Sequence, residues 1–121
     1  RTFTQKGDKI IIQSPVYYPF KNSIENNGRV VVDNPLIKTS DSYEMNFDEL
    51  EKIASQSDVK MMLLCSPHNP VGRVWSVEEL RKVGKICLRN NVVLLSDEIH
   101  FDILRKGQVH TVINNVDESF A

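Results

Sequence analysis

The 121-residue chain is long enough for one α/β unit around a single buried core. Its 40% hydrophobic and 26% charged content is ordinary for a globular domain. A formal net charge of −1 leaves no electrostatic footprint for nucleic acid, and no apolar run approaches the roughly 20 residues that span a bilayer.

The two cysteines, Cys65 and Cys87, sit in apolar surroundings without CxxC spacing. They are expected as small core residues of a reduced, cytoplasmic protein. The opening stretch Arg1 to Gly7 has no Met and no charged-then-apolar leader pattern, and Ser119-Phe120-Ala121 brings no closing element. The expectation is an internal piece of a longer protein.

Along the chain, apolar runs alternate with helical patterns, which predicts βαβ units and a three-layer, mostly parallel sheet with flanking helices. Lys9 to Gln13 reads as a buried strand closed by Ser14-Pro15. Pro19 suits the first turn of a short helix, with Phe20 and Ile24 on one face and Gly28 as a left-handed stop. Arg29 to Asp33 is a second strand.

Asn46-Phe-Asp-Glu49 has the form of a capping box and opens a helix with Phe47, Leu50, Ile53 and Ala54 on its inner face. Lys60 to Cys65 is an apolar strand covered on both faces. Ser76-Val-Glu-Glu79 is a clearer capping box. It starts a helix with Leu80, Val83, Gly84 and Cys87 inward, and with Arg81, Lys82, Lys85 and Arg89 toward water. Asn90-Asn91 ends it, and Val92 to Leu95 is expected as a third buried strand. Phe101 to Ala121 is too weakly patterned to assign.

Ligands of open α/β sheets gather outside the carboxyl ends of the strands. That rule selects Ser14–Phe20, Ser66–Trp75 and Ser96–His100. The segment Ser66-Pro-His-Asn-Pro-Val-Gly-Arg-Val-Trp75, with Ser96-Asp-Glu-Ile-His100 and Ser14-Pro-Val-Tyr-Tyr-Pro-Phe20, resembles fold-type I pyridoxal-phosphate (PLP) enzymes of aminotransferase class I/II. The pattern P-H-N-P-x-G-R-x-W joined to D-E-I-H is similar to the C–S β-lyase, or cystathionine β-lyase-like, branch. Asn69 and Asp97 lie 28 positions apart, as in that family's layout, and the likeness covers nearly all of residues 3–110.

The resemblance implies four cofactor-binding residues. Asp97 would pair with the protonated pyridine nitrogen and Asn69 would donate to the phenolic oxygen. His100, standing where related enzymes have a tyrosine, would reach the same oxygen, and Tyr17 would stack on the ring. Taken singly, Asp97 is a helix cap or loop acid, Asn69 before Pro70 a turn residue, Tyr17 a core or surface aromatic and His100 a structural histidine, while His68 reads as a loop or turn residue. Their joint spacing favours the functional reading. Asp97, Glu98, His100 and Asp102 with His68 match no known metal-ligand spacing, so no metal site is expected. Glu98 and His110 receive no role.

Such enzymes hold PLP as a Schiff base on a lysine in an S-x-x-K pattern. None of the nine lysines follows Asp97 in that pattern, so no catalytic residue is assigned and the Schiff-base lysine is expected to lie outside this chain. Residues 1–121 are thus expected to be part of the cofactor-binding, large domain, with no second domain. The resemblance implies α,β-elimination on cystathionine- or cysteine-like amino acids by a homodimeric parent. The alternative within the family is an aminotransferase. The alternative in another class is a non-catalytic binding or regulatory module.

Overall fold

Four parallel strands form the centre of the molecule, and their side chains alternate between two separate apolar layers. The computed structural model describes residues 2–120. Strand β1 (Lys9–Ile12) leads into helix α1 (Pro19–Asn26), then β2 (Val30–Asp33). A short antiparallel hairpin, β3 (Ile37–Lys38) and β4 (Tyr43–Glu44), precedes α2 (Phe47–Ala54), β5 (Val59–Cys65), α3 (Val77–Arg89) and β6 (Val93–Asp97). The sheet order is β2-β1-β5-β6, with every pairing parallel.

The period-2 rule divides the core. Ile11, Met62 and Leu64 point to the side covered by α2 and α3, where they meet Leu50, Ile53, Leu80 and Val83. Ile10, Ile12 and Met61 point the other way, onto Ile24 of α1 and its neighbours Val16 and Phe20. Burial on both faces stabilises β1 and β5 by roughly 1.5–3 kcal/mol for each large apolar side chain. This is the expected three-layer α/β architecture.

Local chemistry sets the helix limits. Asn46 accepts a hydrogen bond from the Glu49 amide at 3.1 Å, so α2 begins at the predicted cap. Both arms of the Ser76–Glu79 capping box are present, at 3.2 and 2.8 Å. Gly28, at φ +74°, supplies the left-handed turn between α1 and β2. Asn91, at φ +55°, does the same after α3.

The structure corrects three readings. β6 is not a buried strand: Val93 and Leu95 are exposed, because among the described residues β6 is an outer strand of the sheet, paired with β5 alone. Arg81 does not simply face water; it is half-buried and its guanidinium approaches the Val116 carbonyl at 3.4 Å. Ile86 joins the inward stripe of α3. The unassigned C-terminal stretch is mostly irregular and holds two 3-10 turns, Ile113–Asn115 and Glu118–Phe120. Among the described residues, no helix is long and apolar enough to cross a membrane.

Candidate functional site

The β5 and β6 tips are neighbours because their ladder runs to the last residues: Cys65 stands opposite Asp97, and the Ser66 amide donates to the Asp97 carbonyl at 2.9 Å. Asp97 is the final residue of β6, and one carboxylate oxygen accepts from the Ile99 amide at 3.1 Å. Among the described residues, no cationic side chain pairs with that carboxylate.

Asn69 follows β5 on a loop closed by two backbone hydrogen bonds, His68 N–H to the Arg73 carbonyl at 2.7 Å and Gly72 N–H to the His68 carbonyl at 2.8 Å. The Asn69 amide donates to the Cys65 sulfur at 3.3 Å. Its side chain is half-buried and free of hydrogen bonds to the described residues. Tyr17 comes from the segment between β1 and α1. Its ring packs on Tyr18 at 5.7 Å and edge-on to Phe20 at 6.1 Å, leaving the residue 44% exposed. His100 stands in the turn after β6, where its carbonyl accepts from the Ile103 amide at 3.0 Å.

All four residues, with Cys65 and Ile99, line one cavity of about 400 Å³ at the carboxyl ends of the strands. Its volume suits a small organic ligand. A larger cavity of about 700 Å³ lies at the opposite end of the sheet, formed by Lys6 and residues 25–29. Its lining includes the charged side chains of Lys6, Glu25 and Arg29, and the placement rule for α/β sheets favours the strand-tip cavity instead.

The Cys65 thiol is pushed up by burial, opposed by the hydrogen bond from the Asn69 amide and helped by the Asp97 negative charge. Cys87, deeper in the core, is driven by burial to about 12. Both are protonated, inert thiols near neutral pH. Their expected role as core residues holds, with Cys65 also forming cavity wall.

Sequence reading missed how the Asn69 loop is anchored. His68 is 2% exposed and stacks edge-on against Trp75 with ring centroids 5.5 Å apart. Burial lowers its pKa to about 4, with a small opposing contribution from the Gln13 backbone. Trp75 donates its indole N–H to the Cys65 carbonyl at 2.9 Å. Arg73 lies over that indole, donates to the Tyr43 carbonyl, and reaches both Glu79 oxygens at 2.6 and 2.8 Å. The conspicuous spacing of R-x-W is the one signal in the sequence that points to this support.

Sequence reading also missed Glu98 and His110. Their side chains pair at 2.8 Å across 12 positions, with no periodic pattern to announce them. Among the described residues, no cluster of His, Cys, Asp and Glu could hold a metal ion.

Comparison with known proteins places the fold in a family. The sequence model of the family described as aminotransferase class I and II matches residues 1–120. The chain belongs to this family. Among family relatives, cystathionine beta-lyase PatB of Bacillus subtilis is 42% identical over 121 residues, all of this chain and 31% of PatB. Protein MalY of Escherichia coli is 37% identical over 116 residues, covering 96% of this chain and 30% of MalY. The crystal structure of cystalysin from Treponema denticola, which contains a pyridoxal 5'-phosphate cofactor, matches with a TM-score of 0.95 and 45% identity. It covers 98% of this chain and 30% of cystalysin. The PLP-bound C–S lyase from Staphylococcus hominis matches with a TM-score of 0.92 and 42% identity, over 95% of this chain and 29% of the lyase. The chain therefore spans about 30% of the length of these class I and II relatives.

Proposed function

We propose that the strand-tip cavity is part of a pyridoxal-phosphate site, and that the complete enzyme is a C–S β-lyase eliminating a thiol from cystathionine- or cysteine-like amino acids. The observation that carries this reading is the convergence of Tyr17, Asn69, Asp97 and His100 on one cavity. The side chains fit the group. A half-buried carboxylate without a cationic partner suits a protonated pyridine nitrogen, and an amide without a partner suits a phenolic oxygen.

Bound PLP supplies an electron sink for carbanion chemistry at the substrate's α-carbon. The residues of this chain tune and orient it. Asp97 holds a proton at the ring nitrogen, because an ionised carboxylate in a partly desolvated pocket favours its cationic partner. Asn69 donates to the phenolic oxygen, and His100 offers a second polar contact on that side. Tyr17 covers one ring face with flat aromatic area.

Among the described residues, no lysine lines the cavity. The covalent anchor and the α-proton base are therefore assigned to a lysine outside this chain, and residues 1–121 to part of the large domain. We place the complete enzyme in the cytoplasm as a homodimer; the two unpaired cysteines support the cytoplasmic part of this reading. Relatives named as β-lyases favour elimination over transamination.

Two assays test the proposal. Calorimetric titration of this chain with PLP is expected to show weak 1:1 binding that Asp97→Asn reduces at least tenfold, about 1.4 kcal/mol. Borohydride treatment is expected to attach PLP to no specific lysine of this chain. Equal affinity in the Asp97→Asn variant would refute the role of the carboxylate. For the reaction class, the complete enzyme should release pyruvate from cystathionine without an added keto acid; strict keto-acid dependence would replace the lyase reading with an aminotransferase.

A further inference from the structure

The segment after Asp97 leaves the β6 tip and returns to it at the 3-10 turn Ile113–Asn115, without a helix or strand between. It supplies His100 and Ile99 to the strand-tip cavity. It also supplies Ile103, Leu104, Arg105 and Gln108 to an adjoining cavity of about 490 Å³, which shares Asn69 and His100 as a common wall. Apolar burial does not hold this loop in place: Ile99, Phe101, Ile103 and Val109 are 58–79% exposed.

Its neck is closed by one carboxylate. Glu98 Oε1 accepts from Ser96 Oγ at 2.9 Å and from the Ile113 amide at 3.2 Å. Glu98 Oε2 lies 2.8 Å from His110 Nε2, with side-chain exposures of only 18% and 6% for Glu98 and His110. A carboxylate only accepts, so the proton of that contact belongs to the imidazole. Charge-assisted bonds shielded from water are the strong ones. Three donors from three chain positions therefore meet on the residue that directly follows Asp97.

We infer that Glu98 and His110 form a latch that positions the loop of residues 99–112, and His100 with it, as a wall of the candidate site. Neither residue lines the strand-tip cavity; both are positioning residues. The loop has the closed-neck form of an Ω-type loop, in which mobility is governed by the contacts at its base. The effect on the cofactor rests on the pyridoxal-phosphate reading above, while the effect on the loop does not.

The test compares the chain with its Glu98→Ala variant by NMR and by PLP titration. Loss of the latch should speed amide exchange at Ile113 at least tenfold and move the His100 ring signals toward random-coil positions. It should also weaken PLP binding at least fivefold while leaving the β1–β5 amides protected. Unchanged exchange and unchanged His100 signals would overturn the latch. A loosened loop with undiminished PLP affinity would overturn its positioning role. If the parent chain binds no PLP, the cofactor reading fails, and the latch is decided by the exchange and His100 signals. Should Glu98→Ala not fold, His110→Ala removes one arm only and carries the same readouts, with the largest changes at residues 108–112.

Discussion

The two loops that face each other across the candidate site are built by opposite means. The Asn69 loop is rooted in the core: His68 and Trp75 are each 2% exposed, and Arg73 ties the loop to the α3 capping box through Glu79. The His100 loop carries its apolar side chains in the open and is held at the neck by polar contacts to Glu98. One wall of the site is therefore preformed by packing. The other is positioned by a small hydrogen-bond network that a single substitution can release.

Trp75→Ala should have the largest effect on this contrast. It removes a fully buried indole, its hydrogen bond to Cys65 and the surface beneath Arg73. Loss of about 3–5 kcal/mol is expected in urea denaturation. A loss under about 1 kcal/mol would mean that the Asn69 wall is not packed as described.

Next in size is the pH dependence carried by His68. Its folded-state pKa of about 4 lies below the ordinary 6.5, so protons bind the unfolded chain more readily. The stabilisation is complete above about pH 6.5 and drains away as pH falls toward 4, by about 3 kcal/mol in all. In urea melts at stepped pH, the parent chain should lose stability through this window, and His68→Leu should lose much less. Parallel pH profiles would contradict the buried, neutral imidazole.

Arg73→Lys keeps the charge but gives up the planar contact with Trp75 and the paired reach to Glu79 and Tyr43. A cost of about 1–2 kcal/mol is expected by the same melts. The smallest effect belongs to the other wall. Ile103→Ser alters a side chain 73% exposed and should change stability by no more than about 0.5 kcal/mol. A larger loss would show that the loop packs more firmly than its exposure implies.

Much of the preformed half was legible in the sequence. The capping signals at Asn46 and Ser76, the Gly28 turn and the apolar runs at Lys9 and Lys60 are local chemistry, and each produces the expected element. The strand tips then deliver Asn69 and Asp97 to one cavity because parallel neighbours end side by side. What escaped reading depends on distant partners. Val92 to Leu95 has the composition of a buried strand, yet burial depends on having neighbours, and among the described residues β6 pairs with β5 alone. Tyr43–Glu44 is too short to show alternation. Glu98 and His110 meet through a closed loop, which no local pattern records.

The central claim is that PLP sits between the two strand tips. Its most direct measurement is an NMR titration of the isotopically labelled chain with PLP, following backbone and side-chain signals together. Shifts are expected to concentrate at Tyr17, at the Asn69 side-chain amide, and at Asp97 and His100. Shifts gathered instead around Lys6 and residues 25–29, or none at all, would contradict it.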